Sequence, residues 1–228
     1  GDFMESAVWH FSLDGELIEV TRMDERPWFL HSGENLTLAL GRPKCGLLVD
    51  GEHRELPSSS PVMCGLAGRE NILLGHADGT ISTFNGEEIC KESSSIESLT
   101  CVEGGFVAAL ESGELVAMSL KSDQLWFAHG AQVTTHVAGF DDLHWCGRWD
   151  SIRGNVEVRS NSGELMVSSE TSRPRVSDFS GNRIGFGFED GQILVWEREL
   201  FNRRSKEVKV EENSRNSALA AKLRSLRK

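Results

Sequence analysis

The 228-residue chain carries seven histidines and five cysteines. Only His144-Trp145-Cys146 sets two of them at a spacing that a strand would turn to one face. That pair supplies two ligands, whereas a structural zinc takes about four, so the reading is a core pair. The cysteines Cys45, Cys64, Cys90, Cys101 and Cys146 stand 19, 26, 11 and 45 residues apart. This spacing matches no zinc or disulfide framework and reads as buried free thiols in a reducing compartment. Asp14, Asp50 and Asp78 sit in turn sequences, and each turn offers one or two oxygens to a calcium ion that needs about six or more. The sequence has no glycine-rich phosphate loop, no G-x-S-x-G elbow and no Ser, His and acid grouping. It therefore predicts no catalytic residue, no metal site, no cofactor and no enzymatic activity.

Recognition chemistry is better represented. Arg148-Trp-Asp-Ser-Ile-Arg-Gly-Asn155 reads as the longest connection of its kind, exceeding its counterparts by about six residues, and Arg173-Pro174-Arg175 precedes a neighbouring strand. Trp and Arg are enriched at binding hot spots, and binding residues concentrate on loops held by a rigid scaffold. Arg148, Trp149, Arg153, Arg173 and Arg175 are accordingly the candidate partner-binding residues. The competing reading of Trp149 is a cap on a strand edge.

The elements that would position these residues follow a repeat. In Gly68–Glu103, short apolar runs are punctuated by Asp78-Gly79 and Asn85-Gly86, dipeptides that tolerate the positive φ of tight hairpins. One turn recurs at Asp14-Gly15, Asp50-Gly51, Asn85-Gly86, Ser122-Asp123 and Ser162-Gly163, in steps of 36, 35, 37 and 40 residues. A second recurs at Gly33-Glu34, Gly68-Arg69, Gly104-Gly105, Asp141-Asp142 and Gly181-Asn182, in steps of 35, 36, 37 and 40 residues. Two punctuation marks on one period define a repeat of four strands, a to d. Many of the runs are apolar on both faces, as strands covered on two sides must be. The expected fold is all-β: a β-propeller of four-stranded antiparallel blades, about five in this chain, with a short C-terminal helix. A β-sandwich would have no reason to keep such a period.

The predicted organisation is a propeller over residues 1–200 and a basic tail over 201–228. Blade repeats fall near 21–56, 57–92, 93–130, 131–170 and 171–200, with 7–20 a partial blade. Two closures fit this arrangement. In one, the strand at Glu16 to Val20 completes the last sheet and closes a five-bladed ring. In the other, which the redundant strand at Ala7 to Phe11 favours, the chain forms part of a six- to eight-bladed ring. Lys206 to Val210 could add a last strand, and Ser217 caps a short amphipathic helix. Net charge is −11, divided as +6 over residues 201–228 and −17 over the rest. An acidic body argues against a nucleic-acid channel, leaving at most weak binding through the basic tail. With no apolar run long enough to span a membrane and no leader-like start, the expected location is the cytoplasm.

Two family resemblances rest on particular units. Asp190-Gly191-x-Ile193-x-Val195-Trp196-Glu197 resembles the end of a WD40 repeat, with Glu197 where that family has Asp. Leu115 to Gly130 resembles the quinoprotein-type (PQQ-like) repeat through Ala117, Leu125, Trp126 and Gly130, and this implies that Trp126 packs between adjacent blades. Both families are propellers. The resemblances imply a protein-interaction or scaffold domain that binds a protein partner through loops on one rim. The alternative is a ligand-binding or catalytic propeller that uses its central channel.

Overall fold

The dipeptides that end the apolar runs lie where the backbone reverses in the computed structural model. Gly15, Gly51, Gly86 and Gly163 take φ of 85°, 87°, 90° and 82°, a region that residues with a Cβ enter at a cost. The structure describes residues 6–32, 36–67 and 72–205. The two turns expected at Gly33-Glu34 and Gly68-Arg69 lie outside the described residues.

Four antiparallel sheets of four strands follow one another in sequence. The first comprises β3 (Pro27–Ser32), β4 (Leu36–Leu40), β5 (Leu47–Val49) and β6 (Glu52–Arg54). The second comprises β7 (Val62–Ala67), β8 (Ile72–His76), β9 (Thr80–Thr83) and β10 (Glu88–Lys91). The third holds β11 (Ile96–Val102), β12 (Gly105–Leu110), β13 (Leu115–Ser119) and β14 (Gln124–Ala128). The fourth holds β15 (Gln132–Ala138), β16 (His144–Trp149), β17 (Gly154–Arg159) and β18 (Leu165–Thr171). A last sheet has three strands, β19 (Pro174–Ser180), β20 (Arg183–Phe188) and β21 (Ile193–Glu197), and an N-terminal hairpin pairs β1 (Ala7–Phe11) with β2 (Leu17–Arg22). Because β2 bonds to β1 and not to β21, the closure in which it completes the last sheet is not formed.

The first strands β3, β7, β11, β15 and β19 are consecutive neighbours, so the sheets stack face to face around a common inner edge. The third sheet shows why its strands are apolar on both faces. Phe106, Ala108 and Leu110 pack with Leu73 and Ile81 of the sheet before, while Val107 and Ala109 pack with Val133 and Cys146 of the sheet after. Trp145, Val156 and Val158 similarly meet Ile184, Phe186 and Phe188. Each large apolar side chain buried this way contributes about 1.5–3 kcal/mol. The blades therefore hold one another, as in other stacked-repeat architectures.

After β21 the chain turns into a helix, α1, over residues 198–205. Its single buried aromatic, Phe201, packs on Phe140 and Trp145 with ring centroids 5.8 and 5.0 Å apart. Arg198 and Asn202, four residues apart and so on one helix face, both bond the carboxylate of Asp141. The strand expected at Lys206 to Val210 and the helix expected from Ser217 lie outside the described residues. No helix among the described residues is long and apolar enough to cross a membrane.

Candidate functional site

The d-to-a and b-to-c connections share one rim, and the same hydrogen bond closes it in four sheets. The first residue of the b-to-c connection donates its N–H to a carbonyl of the d-to-a connection: Gly41 to Arg26 (2.8 Å), Ala77 to Pro61, Glu111 to Ser95 and Glu189 to Arg173 (2.9 Å each). Immediately afterwards, the first strand of each of the five stacked sheets, β3, β7, β11, β15 and β19, carries a one-residue bulge. The register skips Trp28 between Pro27 and Phe29, Met63 between Val62 and Cys64, and Glu97 between Ile96 and Ser98. It likewise skips Thr134 in β15 and Arg175 in β19. A bulge breaks the alternation of side chains and re-aims the extra residue. The five bulged residues flank this rim at equivalent positions, next to buried Val62, Ile96, Val133 and Pro174, which keep the fold. Outermost strands carry a second set of bulges at Ile18, Ile89, Leu125 and Met166, on the perimeter.

Trp28, Met63 and Glu97 line a cavity of about 520 Å³ with Arg26, Arg42, Glu111 and the backbone of Gly41. Trp28 is half-exposed, and its indole lies against Gly41, where a Cβ would stand 2.5 Å from Nε1. The guanidinium of Arg26 stands over the same ring, 5.5 Å from its centroid, a cation–π arrangement. In the last sheet the bulged Arg175 pairs with Glu189 at 2.5 Å, and Arg173 stands 5.5 Å over the ring of Trp149. Thr134 turns its hydroxyl to the Gly147 carbonyl oxygen at 3.2 Å.

The predicted site residues divide. Trp149, Arg173 and Arg175 lie together at the rim of the fourth and fifth sheets. Arg153 is exposed and pairs with Glu170 at 3.3 Å. Arg148 departs from the expectation of a partner contact. It is 2% exposed, donates from Nε to Glu157 at 2.9 Å, and donates from Nη1 to the carbonyl oxygens of Gly113 and Ala131 at 2.7 and 2.6 Å. Its guanidinium holds the fourth sheet to the third, and Gly130 leaves the space, since a Cβ there would stand 2.6 Å from Cζ. The long loop expected at Arg148 to Asn155 also resolves differently. Strands β16 and β17 absorb its ends, and the connection itself is residues 150–153, closed by the Asp150 carboxylate accepting the N–H groups of Ile152 and Arg153. Trp28, Met63, Glu97 and Glu111 were missed by sequence reasoning. Their signal is positional: Met63 and Ala77, Glu97 and Glu111, and Arg175 and Glu189 each stand 14 residues apart in their repeats.

His144 and Cys146 share a face, as expected, and both are buried between sheets. Burial pushes the Cys146 thiol up to about 12 and His144 down to about 4. His136, 5.7 Å from His144 between ring centroids, is pushed down to about 3, first by burial and then by the charges of His144 and Arg148. Both imidazoles are thus neutral. Trp126 lies edge-on to His144 at 5.5 Å and against Gly163, so it packs between adjacent blades as the quinoprotein-type resemblance implies. All five cysteines are free. Among the described residues no group of three or more His, Cys, Asp or Glu is placed to hold a metal ion.

Stacked four-stranded antiparallel sheets around a common inner edge define a β-propeller fold. No known family and no curated protein matches the chain. Solved structures do. The β-propeller domain of Cps50 (Swd1) from Myceliophteria thermophila is similar with a TM-score of 0.68 and 10% identity, over 85% of this chain and 77% of that one. Virginiamycin B lyase from Staphylococcus aureus is similar with a TM-score of 0.62 and 14% identity, over 85% and 78%. BBS1N in complex with ARL6DN is similar with a TM-score of 0.65 and 9% identity, over 84% and 71%. At such identities the likeness is one of fold, which hosts enzymes and binding proteins alike.

Proposed function

We propose that this chain is a non-enzymatic interaction propeller of the cytoplasm that binds a protein partner across the rim bearing the d-to-a and b-to-c connections. The observation that carries this reading is the bulge repeated in all five innermost strands. The fold keeps the backbone device and varies the residue it re-aims: Trp28, Met63, Glu97, Thr134 and Arg175. A scaffold position would keep one residue type, whereas a recognition surface varies chemistry on a constant frame. Trp28, Trp149 and the arginines around them are hot-spot types. The structure of BBS1N holds ARL6DN, an instance of a similar fold in a protein complex.

The test is site-specific photo-crosslinking. A photoreactive residue replaces Trp28 or Arg175 on this rim, or Asp14 or Ser162 on the opposite one. The reading expects discrete crosslinked products from the first two positions and none from the others. Equal crosslinking from both rims overturns it.

A further inference from the structure

Glu97 and Glu111 occupy in the third sheet the positions that Arg175 and Glu189 occupy in the last. Both pairs consist of the bulged residue of the first strand and the first residue of the b-to-c connection, whose N–H bonds the d-to-a carbonyl at 2.9 Å in each case. In the last sheet these positions hold opposite charges, and they form an ion pair at 2.5 Å. In the third sheet both are acidic, and neither Glu97 nor Glu111 has a cationic partner among the described residues, although Asp78, Glu157, Glu170 and Glu189 do. Glu97 is half-buried, with Oε1 accepting the Ser95 hydroxyl at 3.1 Å, so its carboxylate is held within the 520 Å³ cavity.

We infer that this cavity receives a lysine or arginine side chain from an extended segment of the partner, the incoming cation taking the place that Arg175 fills in the last blade. This deepens the rim-binding reading and rests on it. Trp28 and Met63 supply an apolar wall for the aliphatic stem, which lysine and arginine bury while keeping the charge in polar surroundings. The two carboxylates supply the charge-assisted acceptors for its end. The acidic body of the chain adds long-range attraction for a basic partner.

Three bead-bound heptapeptide pools test this, each with random flanks around a fixed central lysine, arginine or norleucine, the last matching the lysine stem without its charge. The full chain is retained on the lysine or arginine pool about tenfold better than on norleucine at about 0.05 M salt, with the preference shrinking at about 0.5 M. Glu97→Gln and Glu111→Gln each reduce that preference. Glu97→Arg rebuilds the last blade's pair inside the third: it abolishes the preference and leaves the thermal midpoint unchanged or higher, which separates loss of the site from loss of the fold. Equal retention on all three pools, or a Glu97→Arg protein that keeps the preference, overturns the inference. If crosslinks from Trp28 and Arg175 survive in Glu97→Arg, the rim reading stands and the basic side chain alone is wrong. Their absence in the unaltered chain ends both.

Discussion

Arg148 Nη1 donates to the carbonyl oxygen of Gly113 at 2.7 Å, so a side chain of the fourth sheet closes a turn of the third. The same nitrogen reaches Ala131, and Nε reaches Glu157, which also pairs with Arg159 at 2.9 Å. A residue that resembles a binding hot spot in sequence is thus a clasp between blades. The proposed recognition surface lies beside it.

Replacing Arg148 breaks this clasp. Arg148→Met leaves buried carbonyls and Glu157 less satisfied and lowers unfolding stability by about 3 kcal/mol. Arg148→Lys keeps the charge without the planar fork and recovers only part of that. Urea titrations check both, and an unchanged midpoint for Arg148→Met contradicts the clasp.

His136 and His144 give the fold a defined acid sensitivity. In the unfolded chain each titrates near 6.5, and in the folded chain at about 3 and about 4, because burial disfavours the cation. Above pH of about 6.5 both are neutral in both states and contribute no slope. As pH falls from about 6.5 towards 4, the unfolded chain takes up protons that the folded one refuses. Stability then drops by about 1.4 kcal/mol per pH unit for each histidine. Among the described residues neither ring nitrogen of either histidine has a hydrogen-bond partner, so His136→Leu removes one share of this slope and leaves the protein at least as stable at pH 5. Urea midpoints at pH 7.5 and 5 provide the measurement; an unaltered slope in His136→Leu contradicts it.

Helix α1 rests on Phe201, its one buried side chain, with Arg198 and Asn202 bonded to Asp141. Phe201→Ala removes its contacts with Phe140 and Trp145 and costs about 3 kcal/mol. Faster amide hydrogen exchange confined to α1 and the turn around Asp141 is the expected signature, and uniform protection across α1 in the variant contradicts it.

The cysteines differ in access. Cys45 and Cys146 are buried, and burial pushes the Cys64 thiol, like that of Cys146, up to about 12, whereas Cys101 is exposed. A colourless aromatic disulfide reagent at pH 8 should label Cys101 first and Cys146 only on unfolding. Mass spectrometry of partly labelled protein reads the order, and early labelling of Cys146 contradicts the packing around it.

The blades were legible in the sequence because positive-φ turns demand particular residues. Gly15, Gly51, Gly86 and Gly163 mark them on a fixed period, and strands such as Phe106 to Leu110 announce two covered faces by being apolar throughout. The bulges were not legible. A bulge is a property of two strands in register, and nothing in Pro-Trp-Phe-Leu tells that Trp28, and not Phe29, leaves the ladder. The role of Arg148 was hidden for a similar reason, since its acceptors, Gly113 and Ala131, are backbone carbonyls 35 and 17 residues away. Helix α1 offered too little: Leu200 and Phe201 are its only apolar residues.

The central claim, that the inner-strand bulges form the recognition surface, is tested most directly by setting the two sets of bulges against each other. Alanine at Trp28, Met63, Glu97 or Arg175 removes a rim side chain, and alanine at Ile18, Leu125 or Met166 removes an equally exposed or half-exposed side chain from the perimeter. Association of each variant with the proteins that co-purify with the unaltered chain is quantified alongside its thermal midpoint. The account predicts that the rim variants lose association at unchanged midpoint while the perimeter variants keep it; loss from the perimeter with an indifferent rim would contradict it.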